Sequence, residues 1–217
     1  MRHPHGLRAA AAAGLPAIGA AYQGGFFAGT ISHTANGVAT HALIVAPAAT
    51  GATGTGYTLT TNKQWKTTNT TTAGTTSTYD GAANSANMNN ASHPAAQFCE
   101  TLSIGGYTDW YLPARDELEI AYYNLKPTTD SNATSYGINA YSVPARGSNY
   151  TAGTPAQTTV TAFQTVNSEA FVAGGHWSST EGSSTDAWLL SFFNGDQGSV
   201  GKGNLSLRVR AFRKLAL

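Results

Sequence analysis

The chain is poor in charge, has a single cysteine and contains no long apolar run, and each shortage removes a class of function. Charged residues make up 11% of its 217 positions, with 12 Lys+Arg against 11 Asp+Glu. That balance offers no basic field to collect phosphates, so nucleic acid is not an expected partner. Cys99 alone cannot form an intrachain disulfide or a Cys-based zinc cage. Its apolar neighbours suggest a buried thiol on a helix. No window approaches 18 apolar residues, so no helical membrane insertion is expected. The six histidines, His3, His5, His33, His41, His93 and His176, lack a helical H-x-x-x-H spacing. No cluster of Asp, Glu and Asn around a proline suggests calcium. No metal or other cofactor is therefore expected.

What is present is glycine (24), ten Tyr, four Trp and much Thr, Ser, Asn and Ala. This composition suits a loop-rich extracellular or virion protein, and the length suits one core. Residues 1–21 imitate a signal peptide, with Arg2 and Arg8 before an Ala-rich run. Bulky apolar residues are sparse there and Pro16 interrupts the run, so the segment reads as an N-terminal arm or attachment segment. A ligand-binding domain is expected over residues 22–217.

From Tyr22 the pattern is that of strands: residues 24–31, then 40–46, with Asn36-Gly37 between them as a turn signal. Residues 50–78 hold 14 Thr in 29 positions, which disfavours helix. Trp65 is the expected anchor of that segment. Ala95, Phe98, Cys99 and Leu102 form one apolar stripe, predicting a helix over 94–102 with Pro94 in its first turn. Leu118, Ala121, Tyr122 and Leu125 predict a second helix over 115–125. Asp116 and Glu117 complement its dipole, and with Glu119 they are expected on a solvated face. Residues 127–170 are irregular, a length that is usually functional or packed on itself. Short strands are expected near 177–180, 187–193 and 207–212, with a Gly-rich loop at 195–203. Strands, two helices and strands again imply an α+β fold.

Asp80-Gly81-x-x-Asn84, His93-Pro94-Ala95-Ala96, the run from Gly105 through Gly106-Tyr107-Thr108-Asp109-Trp110-Tyr111-Leu112-Pro113 to Leu118, Trp177-Ser178-Ser179-Thr180-Glu181, Ala187-Trp188 and Val209-Arg210-Ala211 resemble the Lcl C-terminal domain family. The resemblance covers roughly residues 22–217. It implies a C-type-lectin-like fold of the formylglycine-generating subclass, found in phage tail proteins and bacterial surface proteins. Two positions depart from the pattern: Ala114 stands where a helix-capping Ser or Thr is expected, and His176 where Tyr often precedes the Trp. Formylglycine generation relies on a cysteine pair, which one cysteine cannot supply, so no enzymatic activity is expected. Ser178 and Ser179 beside His176 are read as structural, because strand neighbours point to opposite faces.

The C-terminal stretch further resembles the variable region of diversity-generating retroelement proteins, in which Asn codons are rewritten to codons ending in C or T. The framework would be Trp177, Glu181, Ala187, Trp188, Phe192, Gly195, Gln197, Lys202, Arg208, Val209 and Arg210, with Trp110 bracing the core. Arg208 and Arg210, alternating along a strand, either pair with Glu181 or Asp186 as scaffold or contribute to binding; scaffold is the reading for Arg210, and Arg208 is open between the two. Eighteen candidate variable positions lie between 182 and 206, and none carries Lys, Glu, Gln, Met or Trp. Among them, Leu189, Phe193, Val200 and Leu205 would give apolar contact. Ser191, Asp196, Ser199 and Asn204 would hydrogen-bond, and Gly198, Gly201 and Gly203 would shape the loop. The others are Gly182, Ser183, Thr185, Asp186, Leu190, Asn194 and Ser206.

The expected function is that of a receptor-binding domain at a phage tail-fibre tip, recognising a host cell-surface protein or glycan. Phe193 is the expected anchor. The N-terminal segment would join other tail proteins, and a homo-oligomer, the trimer usual in tail fibres, would supply avidity. The same resemblance allows a bacterial secreted or surface adhesin, or a structural virion protein.

Overall fold

The computed structural model describes residues 14–54 and 61–217. Residues 1–13 of the expected arm, and the centre of the Thr-rich segment, lie outside the described residues. Two antiparallel sheets carry the chain. The first contains β1 (Ala21–Tyr22), β2 (Gly25–Ile31), β3 (His41–Val45) and β7 (Phe212–Ala216), in that order. The second contains β4 (Gly175–Glu181), β5 (Asp186–Ser191) and β6 (Gln197–Gly201). Between them in sequence lie α1 (Ala48–Gly51), α2 (Gly81–Ala86), α3 (Pro94–Glu100) and α4 (Arg115–Leu125).

The alternation of β3 divides the interior in two. Leu43 and Val45 point into one hydrophobic cluster with Leu118, Tyr122 and Leu125 of α4. Ile44 and its neighbour Ala46 point the other way, to Trp65, Trp110, Cys99 and Trp177. A strand buried on both faces reads as a continuous apolar run, which is what Ala-Leu-Ile-Val is. β7 closes the first sheet against β3, so the last strand of the chain lies beside one of the first. Residues 18–21, assigned to the arm, already belong to the sheet: Gly19 N–H donates to Phe27 O at 2.7 Å, and Ile18 packs on the core.

The early hairpin and both expected helices are present, α4 with the expected bounds. Three expectations fail. Residues 207–211 do not form a strand; they meet His176 and Ala52 through isolated bridges at Arg208 and Arg210, and the strand begins at Phe212. Residues 197–201 are not loop but the edge strand β6, because their backbone pairs with β5 in register from Asp186↔Gly201 to Leu190↔Gln197. The α2 turn was not expected either, although its Asp80 N-cap, which accepts from Ala83 N–H at 3.0 Å, is the residue type a cap needs.

The three carboxylates of α4 are buried, not solvated, because each has found partners. Glu119 accepts from Tyr150 Oη at 2.6 Å and Asn139 Nδ2 at 2.6 Å, and pairs with Arg146. Asp116 accepts from Arg115 Nε at 3.1 Å. Glu117 accepts from the backbone N–H of Ala114 at 2.8 Å and of Gly81 at 3.2 Å, and from Tyr111 Oη at 2.8 Å. It thereby ties the starts of α2 and α4 together. Ala114 has no side-chain oxygen to cap α4, and the missing acceptor comes from across the chain: Arg115 N–H donates to Thr180 Oγ1 at 3.1 Å. Gly81 is required by this junction, since a Cβ there would sit 2.3 Å from Glu117 Oε2.

Burial pushes Glu117 up to about 8, against the downward pull of its hydrogen bonds to Ala114 and Tyr111 and of the Lys214 charge. Its ordinary value is 4.5, so the fold holds a proton that the unfolded chain releases over that interval. The stability this proton brings is complete below the lower value and is lost as pH rises through the upper one. Glu117→Gln, which mimics the protonated acid, is expected to fold and to flatten the fall in melting temperature between pH 4.5 and about 8. Glu117→Ala, which strands two buried N–H groups, is expected to cost about 2 kcal/mol or more. Parallel melting-versus-pH curves for the wild type and Glu117→Gln would show that Glu117 is ionised in the fold.

Candidate functional site

The β5–β6 hairpin and the loop after it carry nearly every residue assigned to ligand contact. Its turn is set by Phe192, which stacks on Phe171 at 3.8 Å in the core, so its neighbour Phe193 points outward and is 47% exposed. Gly195 has φ +76° and donates to Ser191 O at 2.7 Å; a Cβ there would lie 2.4 Å from the Tyr122 ring. The 127–170 insertion braces this turn. Thr128 Oγ1 donates to Phe193 O at 2.9 Å, and Ala133 N–H donates to Asn194 O at 2.8 Å. The Tyr136 phenol hydrogen-bonds to the exposed Asp196 carboxylate, which raises the phenol's pKa.

Sheet alternation divides the assigned residues between two faces. Trp188 pairs with Ser199 and Leu190 with Gln197, so these four share one face, while Ala187, Leu189, Gly198 and Val200 share the other. On that second face Leu189 and Val200 are half-buried against the Trp177–Leu207 cluster. They brace the sheet and are not free for the contact expected of them. Leu190 is wholly buried beside Tyr122, so it is no surface position. Every other candidate variable position is exposed or half-buried, whereas nine of the eleven framework positions are buried. Ser199, Gly201, Gly203 and Leu205 are exposed, and Ser191, Gly198 and Asn204 are half-buried. Phe193 and Leu205 lie on separate segments, the hairpin turn and the loop after β6.

That last loop is fixed by Lys202, whose side chain is 0% exposed. Its ammonium pairs with Glu181, donates to Thr70 O at 2.9 Å and Ser184 O at 2.9 Å, and lies 5.0 Å over the Trp65 ring. Glu181 also accepts from Thr72 N–H at 2.8 Å. Arg210 pairs with Glu169 at 3.0 Å and stacks over Phe171; the expected partners Glu181 and Asp186 are engaged elsewhere, because the chain meets β4 at His176, the opposite end of that strand from Glu181. Burial pushes Arg210 down to about 10, against the pull of Glu169. Arg208 is buried against Gly54 and Gly174.

Trp188 is the exception in the framework. The indole N–H groups of Trp65, Trp110 and Trp177 donate to the carbonyls of Ser178 (2.8 Å), Tyr107 (3.1 Å) and Lys63 (3.0 Å). Trp188 is half-buried and its indole N–H has no partner among the described residues. The Arg115 guanidinium lies 5.0 Å over its ring. Together with Tyr136, Ile138, Asn149 and Gln197 the two residues line a cleft of about 240 Å³. Of these only Trp188 and Gln197 were singled out, both as framework. Arg115 was read as a helix start, and the others sit in an irregular insertion whose path no periodicity reveals.

The serines beside His176 do not form a nucleophile and base. Ser178 Oγ donates to Trp188 O at 3.0 Å, Ser179 Oγ accepts from Asn84 Nδ2 at 3.2 Å, and His176 Nδ1 contacts Gly174 O at 3.0 Å. Burial lowers His176 to about 3, so it stays neutral against Phe171 and Phe192. His33 and His41 stack at 4.3 Å near Asp80, on the first sheet and away from this hairpin. Among the described residues no three His, Cys, Asp or Glu side chains converge as metal ligands would.

The family model of the Lcl C-terminal domain matches residues 54–213. The chain belongs to the Lcl C-terminal domain family. The match takes in α2 to α4, the insertion, the whole second sheet and the Glu181–Lys202 pair, but begins after β1–β3, later than the residue 22 suggested by sequence motifs. No curated protein matches the chain by sequence. Family membership therefore places the cleft and the hairpin turn within the matched region.

Proposed function

We propose that this Lcl C-terminal domain is a non-enzymatic receptor-binding domain, carried at a phage tail-fibre tip and recognising a host cell-surface protein or glycan. The observation that carries the reading is the contrast within the second sheet. Buried, hydrogen-bonded side chains hold it, while Trp188 and Phe193 present aromatic surface outward beside small polar residues. Aromatic anchors set among hydrogen-bonding neighbours are the usual source of interface energy. The fold is read as C-type-lectin-like: the first and last strands share one sheet, and a smaller second sheet carries the contact surface. The absence of a converging nucleophile, base and orienting acid among Ser178, Ser179 and His176 favours binding over catalysis.

The division between buried framework and exposed remainder also supports diversification of the hairpin and following loop by a retroelement. Leu190 is excluded from that set by its burial. Sequencing the 3′ end of the gene across a population should then find variation at exposed positions between 182 and 206 and none at Glu181, Lys202 or Arg210. Variation scattered evenly over the domain would oppose it.

The surface of one copy is small and largely polar, so display as a homo-oligomer, a trimer in the tail-fibre reading, would raise avidity by roughly 10²–10⁴. Binding of the oligomer to host cells tests the proposal. Phe193→Ala and Trp188→Ala are each expected to weaken binding by about tenfold or more, roughly the 1.4 kcal/mol or greater loss of an anchor residue, with Phe193→Ala leaving the melting temperature unchanged. Unchanged cell binding in both variants would mean the surface serves another purpose, such as contact with neighbouring virion subunits.

A further inference from the structure

The cleft at Trp188 is one end of a longer furrow. A second depression of about 320 Å³ is walled by Tyr123, Arg146, Asn149 and Thr154, and a third of about 560 Å³ by Ile18, Tyr123, Asn124 and residues 153–160. Asn149 belongs to both the cleft and the second depression, while Tyr123 and Thr154 belong to both the second and the third. The three therefore adjoin along one flank of the molecule, between α4 and the 127–170 insertion. Volumes of this order are those of ligand sites, roughly 300–1,000 Å³.

The chemistry of the walls is consistent along this length. The rings are Trp188, Tyr136 and Tyr123, all half-buried, and between them stand the amides Asn149, Gln157 and Gln197. The amide of Asn149, an exposed residue, makes no hydrogen bond among the described residues. The two cations present are each paired with a carboxylate: Arg146 with the buried Glu119, its Nε left without a hydrogen-bond partner as it lies over Tyr123 at 4.2 Å, and Arg115 with Asp116 as it lies over Trp188. A furrow so lined offers half-buried rings, groups that both donate and accept, and no charge without an opposite partner. A chain of sugar rings presents the complement: apolar C–H faces alternating with hydroxyls that both donate and accept. An anionic ligand would meet no cation without a carboxylate partner, and an extended peptide would find at most one strand end among the lining residues, Gln197 of β6.

From this we infer that the furrow binds an uncharged polysaccharide chain, running from Trp188 past Asn149 and Tyr123 towards Ile18. The inference rests on the receptor-binding reading and names the ligand class of that face. Its test uses the full chain on an array of neutral glucans, mannans, galactans and N-acetylhexosamine oligomers. Heparin and chondroitin sulfate serve as charged comparisons, and gelatin as an extended peptide. Gly147 and Gly153 line the second and third depressions, and a Cβ at either would meet nothing within 4 Å, so a side chain can start there without a clash. Gly147→Glu and Gly153→Glu therefore obstruct the furrow without disturbing the fold, and Asn149→Ala removes its uncommitted amide.

The expected result is retention of at least one neutral glycan class, with little change between about 50 and 500 mM salt. Each of the three variants should weaken it by about tenfold or more. Retention of heparin alone, of gelatin alone, or of a neutral glycan equally by all variants would overturn the inference. So would no retention at all. Because the glycine variants leave Phe193 and Trp188 in place, cell binding that persists in them but is lost in Phe193→Ala would refute the furrow and leave the receptor-binding reading intact.

Discussion

The second sheet depends on one buried ion pair. Glu181 ends β4 and Lys202 follows directly after β6, and the two meet in the interior, where the lysine also holds the carbonyls of Thr70 and Ser184. A buried pair adds little net stability over apolar residues of the same size, but losing one partner strands a charge, at a cost of about 3–5 kcal/mol. Such a pair works as a latch: it admits one arrangement of the loop after β6 and penalises the rest. Lys66 repeats the device alongside, donating to Thr70 O, Thr71 O and Thr72 Oγ1. Together the two lysines fasten residues 70–72, which lie in no helix or strand.

From this latch follows the separation of roles that makes a binding surface possible. Trp65 and Trp177 are pinned through their indole N–H groups, Arg210 by Glu169, and Gly195 by the Tyr122 ring that occupies the space of a side chain. With the backbone held from below, side chains at Ser183, Phe193, Ser199 and Leu205 carry little of the folding energy and are free to differ. The insertion closes the other flank. Through Thr128 and Ala133 it grips the hairpin turn, and through Tyr136, Ile138 and Asn149 it builds the far wall of the cleft. A long irregular loop is thus made rigid by hydrogen bonds to a sheet it never joins.

Local pattern made some of this legible and tertiary contact hid the rest. The stripe Leu118, Ala121, Tyr122, Leu125 defines α4, and the alternating Phe192–Phe193 pair places one ring in and one out. The same reasoning failed for Asp116, Glu117 and Glu119, because charge on a helix implies solvent unless its partners are known, and those partners, Tyr111, Gly81, Asn139, Tyr150 and Arg146, are scattered over the chain. It failed for 197–201, where glycines suggest loop but the ladder to β5 makes a strand. It also assigned Trp188 to the framework with the other tryptophans. Only the geometry distinguishes an indole whose N–H is bonded from one whose N–H has no partner among the described residues.

The most direct test of the framework-and-surface division is a saturation scan of residues 175–213, sorted by resistance to proteolysis of the folded domain. Substitutions at Trp177, Glu181, Leu190, Gly195, Lys202 and Arg210 should be rejected almost without exception, while Ser183, Phe193, Ser199 and Leu205 should accept nearly every residue. Tolerance at Lys202 and Glu181 equal to that at Phe193 and Ser199 would contradict the account, since the buried latch would then not be what holds the surface in place.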